Sequence, residues 1–188
     1  MASSTAHDIT IEDDILDIYI AGQNNNHACY WINNKDCIFL DDAGSYSSEA
    51  RSIYFSNNNL YIGGIYQPIS FPGDNYPCYW VNGKRYNLER PGNYHIIRSI
   101  YYHDDNIYCI GYDTGAAYSY FWKNQKIYWT SNPNQLYFND LFIFDQDFYI
   151  SGQVMSSNAF YLKNFFQTNL TSPVSSFSGN SIFIKKRH

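Results

Sequence analysis

The sequence predicts an all-β fold made of four repeated four-stranded antiparallel units, and three observations predict it. Composition is the first: of 188 residues, 45% are hydrophobic and 20% aromatic, with 20 tyrosines, and only 15% are charged. Aromatic side chains suit a pleated, half-buried surface, and this balance excludes disorder. The second is a five-residue stretch written four times, as IYIAG (18–22), LYIGG (60–64), IYCIG (107–111) and FYISG (148–152). Its tyrosines, Tyr19, Tyr61, Tyr108 and Tyr149, are spaced 42, 47 and 41 residues apart. The third is the lack of helix caps and helical periodicity anywhere between these copies.

Each element of the unit follows in order. Strand A reads Ser52-Ile53-Tyr54-Phe55, Ser99-Ile100-Tyr101-Tyr102 and Asp140-Leu141-Phe142-Ile143, and each copy ends in a polar knot that reads as a tight turn. Strand B is the LYIGG stretch, apolar on both faces as a strand sandwiched between neighbours should be, and closed by a glycine expected to let the chain bend away. Strand C reads Tyr30-Trp31-Ile32-Asn33, Tyr79-Trp80-Val81-Asn82, Phe121-Trp122-Lys123-Asn124 and Tyr161-Leu162-Lys163-Asn164, with the asparagine constant. In the second copy Asn82-Gly83 follows, the strongest two-residue hairpin signal. Strand D then ends at Leu40, Leu88, Thr130 or Leu170.

Four antiparallel strands repeated about every 40–50 residues make the blade of a β-propeller. The blades span residues 9–40, 50–88, 98–130 and 139–170 of a single domain over 1–188. Strand A occurs a fifth time, because Asp8-Ile9-Thr10-Ile11 opens the chain and the closing strand Ser181-Ile182-Phe183-Ile184 ends it. A closed four-bladed ring, with the C-terminal copy completing the first blade, is the preferred arrangement. The alternatives are an arc of a larger propeller or a ring that closes by forming a homo-oligomer.

The pattern of strand, (I/L)YxxG, YW(x)NG(K) and a strand ending in Leu resembles the bacterial β-propeller repeats with a YWKNG-type motif, and more distantly kelch blades, though only Gly63-Gly64 supplies a kelch-like doublet. The resemblance runs from about Ile9 to Ile184 and implies an interaction scaffold. The fourth blade departs from it, with Leu162 in place of Trp and Phe165 in place of Gly.

Charge and motifs exclude several functions. A formal net charge of −5 opposes a phosphate-binding surface, so nucleic acid is not expected as a partner. No apolar run reaches the roughly 20 residues of a membrane span, and the start MASSTAHDITIEDD is acidic where a signal peptide is basic, then apolar. Cys29, Cys37, Cys78 and Cys109 have neither CxxC spacing nor paired histidines; they read as buried free thiols, which points to the cytoplasm and to no metal or redox site. The acidic pairs Asp13-Asp14 and Asp104-Asp105 read as turn residues, not as a calcium loop, and no cofactor is expected.

Function is then expected on the rim where the B–C and D–A loops meet. The long B–C loop IYQPISFPGDNYP (65–77) is expected to present Tyr66, Phe71, Asp74 and Tyr76 between prolines, and another B–C loop to present Asp113 and Tyr118. Arg51, Arg98 and Asn139 stand at one repeat position, as do His7 and Asn180, and are expected to gather at the channel mouth, where forked guanidinium groups can hold a carboxylate, a sulfate or a hydroxyl cluster. The leading expectation is a non-enzymatic binding module for a protein partner ahead of a glycan. The alternative is a carbohydrate hydrolase using Asp74, Asp113 and Asp140, although no catalytic motif is present. His27, His95 and His103 read as solvated loop residues.

Overall fold

The computed structural model of the chain describes residues 4–12, 17–33, 35–132, 136–154, 158–170 and 178–186, with side chains described from residue 17 onward. Its strands form four antiparallel sheets, and no helix occurs among the described residues. The first sheet holds β1 (Ser4–Glu12), β2 (Asp17–Asn24), β3 (His27–Ile32) and β4 (Ile38–Phe39). The second holds β5 (Ser45–Ser56), β6 (Asn59–Pro68), β7 (Tyr76–Val81) and β8 (Lys84–Asn87). In the third are β9 (His95–His103), β10 (Asn106–Asp113), β11 (Tyr118–Lys123) and β12 (Lys126–Thr130), and in the fourth β13 (Leu136–Phe144), β14 (Asp147–Val154), β15 (Ala159–Lys163) and β16 (Phe166–Asn169). Spatial order equals chain order in every sheet, so each is a meander of hairpins: a propeller blade, as the repeat predicts.

The turns explain the polar knots. Asn57 and Asn58 have φ of 50° and 57°, Asp104 and Asp105 have 47° and 57°, and two consecutive positive φ angles make the turn whose twist matches the strands it joins. Asp and Asn tolerate that region better than other side chains, which accounts for the acidic pair at 104–105. Residues 13–14 lie outside the described residues.

The constant asparagine of strand C is explained by three hydrogen bonds and a backbone angle. Asn33, Asn82, Asn124 and Asn164 all have φ between 49° and 56°. Each N–H donates to the carbonyl of the residue that starts strand B (Ile18, Leu60, Ile107 or Phe148), and each Oδ1 accepts that residue's N–H at 2.7–3.0 Å. Each Nδ2 donates onward to the side chain one residue earlier, at Asp17, Asn59, Asn106 or Asp147. Asparagine combines a tolerated left-handed conformation with an acceptor and a donor on one short side chain.

The glycine that closes strand B has a different cause from the expected bend. Neither Gly64, Gly111 nor Gly152 has a positive φ. Opposite each, strand A carries a β-bulge, and a Cβ on the glycine would run into the bulge carbonyl of Glu49, Ile96 or Tyr137. Close approach of backbone to backbone, not flexibility, demands glycine. The extra residues of the bulges are Arg51, Arg98 and Asn139, and position 7 in β1, which is the column singled out in the sequence.

Neighbouring blades pack by one recipe. Tyr61, Tyr79 and Leu88 on the rear face of the second sheet enclose Ile100, Cys109 and Trp122 on the front of the third. The Trp80 indole donates to the Asp41 carbonyl (2.7 Å) and that of Trp122 to the Glu89 carbonyl (2.9 Å), so each tryptophan is tied to the linker leaving the preceding blade. Strand D of the third blade departs from the sequence alignment: a bulge at Tyr128 makes Ser131, not Thr130, the equivalent of Leu40 and Leu88, and its N–H donates to Ser119 as theirs do to Ala28 and Pro77. The sheets pack first on second, second on third and third on fourth, and among the described elements no packing of like extent joins the fourth to the first.

Residues 178–182 lie on the fourth sheet as a fifth strand A would. Ile182 N–H donates to Asp140 as Ile100 N–H donates to Ser52 Oγ, and Ser181 Oγ donates to the same carboxylate at 2.7 Å. Phe183 continues an aromatic column through Tyr54, Tyr101 and Phe142, with successive centroids 4.4, 5.8 and 5.4 Å apart.

Candidate functional site

Strand length singles out the second blade. Its A and B strands run 12 and 10 residues, against 9 and 8 in each of the other three. The extra length projects at the B–C end. There a polar groove of about 210 Å³ lies between the first and second blades, lined by Gln23, Ser47, Ser48, Glu49, Arg51, Ile65, Tyr66, Gln67 and Asn75.

The groove is pre-organised by its own hydrogen bonds. Gln23 Nε2 donates to the Ser48 carbonyl, Ser47 Oγ to Gln67 Oε1, and Gln67 Nε2 to Asn75 Oδ1, all at 2.8–3.0 Å. Arg51 pairs with Glu49 at 2.6 Å through one terminal nitrogen, while its buried Nε has no hydrogen-bond partner. Fixed amide and hydroxyl groups lower the entropy lost when a polar partner is bound.

The sequence places Tyr66 and Tyr76 on an open loop, and the structure does not. Strand pairing continues to Tyr66 opposite Tyr76, so the loop proper is only 69–75. Tyr66 is buried, with the Arg85 guanidinium 4.0 Å above its ring, and burial pushes its hydroxyl pKa up. Half-buried Tyr76 lies 3.6 Å under Arg90, which also contacts Asp74 at 3.5 Å. Phe71 is exposed as expected, and Ile69 and Tyr46 are exposed at the same end of the hairpin, where the Ile69 N–H reaches the Gly44 carbonyl. A bulge between Ser45 and Ser47 frees Tyr46 from the ladder.

The bulge column does not form one cluster. Arg51 lines the groove; Arg98 is exposed and outside it; Asn139 donates to the Gly179 carbonyl at 3.0 Å. The side chain at position 7 lies outside the described residues. Tyr118 is half-buried, its ring 6.2 Å from that of Tyr120.

Asp113 is not on the rim but in the interior, 1% exposed, beside the fully buried His95 with Nε2 and Oδ2 3.7 Å apart. Asp113 Oδ1 accepts the N–H groups of Gly115 (2.7 Å) and Ala116 (3.2 Å), and the Gly92 N–H donates to His95 Nε2. Burial lowers the His95 pKa, with the Asp113 carboxylate acting the other way. His27 is likewise not a bare loop histidine: its Nδ1 contacts Asp42, whose carboxylate also accepts from Ser48 Oγ. Sequence reading missed both pairs because their members stand 18 and 15 residues apart, the first brought together by strand register and the second by the linker that follows β4.

Among the described residues, no group of three or more His, Cys, Asp or Glu side chains is placed to hold a metal ion, and no helix is long and apolar enough to cross a membrane. The four cysteines are free; only Cys37 is not fully buried, and burial beside it pushes the Cys29 thiol up to about 12. Compared with protein-family models and with curated proteins, the chain matches none.

Proposed function

We propose that the chain is a non-enzymatic binding module that takes a protein partner on the projecting hairpin of its second blade. The observation that carries this reading is the extension of β5 and β6 beyond their counterparts, bearing exposed Tyr46, Ile69 and Phe71 beside a pre-organised polar groove. Exposed aromatic and aliphatic anchors next to fixed hydrogen-bonding groups are the makings of an interface centre with a polar flank. Asymmetry supports one site per chain in preference to a repeated one.

The glycan reading has less support, because Tyr66 is buried and the Tyr66 and Tyr76 rings each already carry a guanidinium group over one face. The hydrolase reading has less still. Asp74 contacts Arg90, Asp113 is buried against turn N–H groups, and Asp140 accepts from Ser99, Ser181 and Ile182, so each carboxylate has a structural task.

A photo-crosslinking residue placed at Phe71 in the whole chain, with Arg98 as control position, tests the reading. A discrete adduct at Phe71 and none at Arg98, with affinity reduced at least about tenfold by Phe71→Asp, is the expected result. Selective binding on a glycan array, lost in Arg51→Ala and kept in Phe71→Asp, would refute it.

A further inference from the structure

The two ends of the stack leave open the two halves of the interface that the chain builds three times inside itself. Where the second and third blades meet, the front face presents a fully buried Trp122 and the rear face a buried Tyr61, Tyr79 and Leu88; where the first and second meet, Trp80 is fully buried against a rear face with buried Leu40. On the first blade the equivalent front residues, Ile20 and Trp31, are only half-buried, and no acceptor among the described residues meets the Trp31 indole. On the rear of the fourth blade Leu170 is 42% exposed, where the equivalent Leu40 and Leu88 are 4% and 5% exposed. One chain therefore carries both complementary surfaces, and among the described elements no packing like that between neighbouring blades joins its own fourth blade to its first.

The segment 181–184 adds a second, independent observation. It is laid on the fourth blade as strand A of a following blade, yet no strand B stands beside it among the described residues, and Phe183 is 76% exposed. Its sequence, Ser-Ile-Phe-Ile, copies Ser52-Ile53-Tyr54-Phe55, which pairs Ser52 with Gly63, Ile53 with Ile62 and Tyr54 with Tyr61. An unpaired edge of this kind is a template for another strand.

We propose that these surfaces are filled by a second copy of this chain, whose first blade seats on the fourth blade of its neighbour in a head-to-tail contact. In that contact 181–184 of one copy pairs with β2 of the other. The register that β1 now uses sets the pairing: Ser181 opposite Ala21, Ile182 opposite Ile20, Phe183 opposite Tyr19 and Ile184 opposite Ile18, with residues 4–12 giving way. Phe183 brings an aromatic ring to Tyr19 where β1 offers Thr10, and aromatic cross-strand pairs are the more favourable. Trp31 then meets the rear of a preceding blade, as Trp80 and Trp122 do. Such a contact is heterologous, so it closes a ring or extends a chain of copies.

Light scattering on the eluting whole chain decides the matter first. A mass that is a multiple of 22.0 kDa is expected, whereas 22.0 kDa at every concentration tested would overturn the proposal. Trp31→Glu and Leu170→Glu alter exposed or half-exposed positions, and each alone is expected to raise the dissociation constant at least about tenfold with the β circular dichroism kept. Mixed together they restore a two-chain species, because each still carries the half that the other lacks; failure to restore it means a contact that is not head-to-tail. A chain carrying both Tyr19→Cys and Phe183→Cys, oxidised, is expected to give a disulfide between chains. A disulfide within one chain would show the ring closing on itself and would overturn the proposal.

Discussion

Gly64→Ala probes the join between the bulge and strand B, and the structure fixes its expected size relative to three other glycines. A Cβ at Gly64 would lie well inside contact distance of the Glu49 carbonyl oxygen, 2.9 Å from the Trp80 ring and 3.1 Å from Ala50 Cα. Two of these neighbours are backbone and the third is a fully buried tryptophan, so none can give way cheaply. Overpacking of a core costs about 1–3 kcal/mol even when side chains can shift, and here the ladder beside the bulge has to move, so the loss is about 3 kcal/mol or more. Gly63→Ala meets the Ile97 methyl at 3.0 Å and Ile100 Cβ at 3.3 Å, side-chain atoms that can yield, and costs about 1–2 kcal/mol. Gly83→Ala has open space but φ of 85° and costs about 1 kcal/mol, while Gly73→Ala has open space and no positive φ and changes stability by less than about 0.5 kcal/mol. For a chain of this size the Gly64 loss corresponds to a melting temperature lowered by roughly 6–12 °C. Thermal melts of the four variants under one buffer give the order Gly64, Gly63, Gly83, Gly73. A Gly64→Ala melt coinciding with that of Gly73→Ala would refute the account of why the repeat ends in glycine.

Three further outcomes follow from the same geometry. Trp80→Phe and Trp122→Phe each leave a linker carbonyl, Asp41 or Glu89, without its indole donor, and each is expected to lower stability by about 1–3 kcal/mol in urea unfolding; a loss below about 0.5 kcal/mol would mean the hydrogen bond is replaced by water. Burial holds the folded-state pKa of His95 below its ordinary 6.5, so the unfolded chain binds the proton first: stability from this group is fully present above about pH 6.5 and is lost as pH falls below it. Stability measured against pH is expected to drop less steeply through that window in His95→Gln, and an unchanged slope would contradict the assignment. Leu162 in the place of tryptophan borders a cleft of about 330 Å³ shared with Phe165, which stacks on Trp129 at 4.9 Å despite a φ of 69°. Leu162→Trp with Phe165→Gly, restoring the pattern of the second blade, is therefore expected to be about 1 kcal/mol more stable than the sum of the two single changes, whereas strict additivity would show that the two positions do not share the cleft.

What the sequence made legible was whatever the blades repeat. The strand order, the turn residues and the tryptophans of the second and third blades could be read because these blades repeat the same contacts, Trp80 and Trp122 each donating to the linker of the preceding blade. What it hid falls where one blade departs from its copies. Tyr66 and Tyr76 read as loop because prolines flank them, yet Pro68 ends β6 and Pro77 stands opposite Ile65, so the ladder continues through residues that looked like a break. Pro77 lacks only an N–H; its carbonyl still accepts from Leu88 and keeps strand D in place. The burial of Asp113 follows from extending β10 to its last pair, opposite His95, and no local motif announces a pair made by register.

The bulge column shows why the variable positions of this fold fall where they do. On strand A alternate side chains are committed to the two faces of the blade, and Ile53, Ile100 and Leu141 are buried in consequence. One inserted residue breaks that alternation, and its side chain is released from both faces. The cost is the glycine opposite, since the displaced carbonyl occupies the space of a Cβ; hence glycine is constant while the bulge residue is Arg51, Arg98 or Asn139. A position free of packing duty, fixed by a constant neighbour and repeated on each blade, can differ between blades without disturbing any interface. In the second blade that freedom has put a guanidinium group into the groove beneath the projecting hairpin.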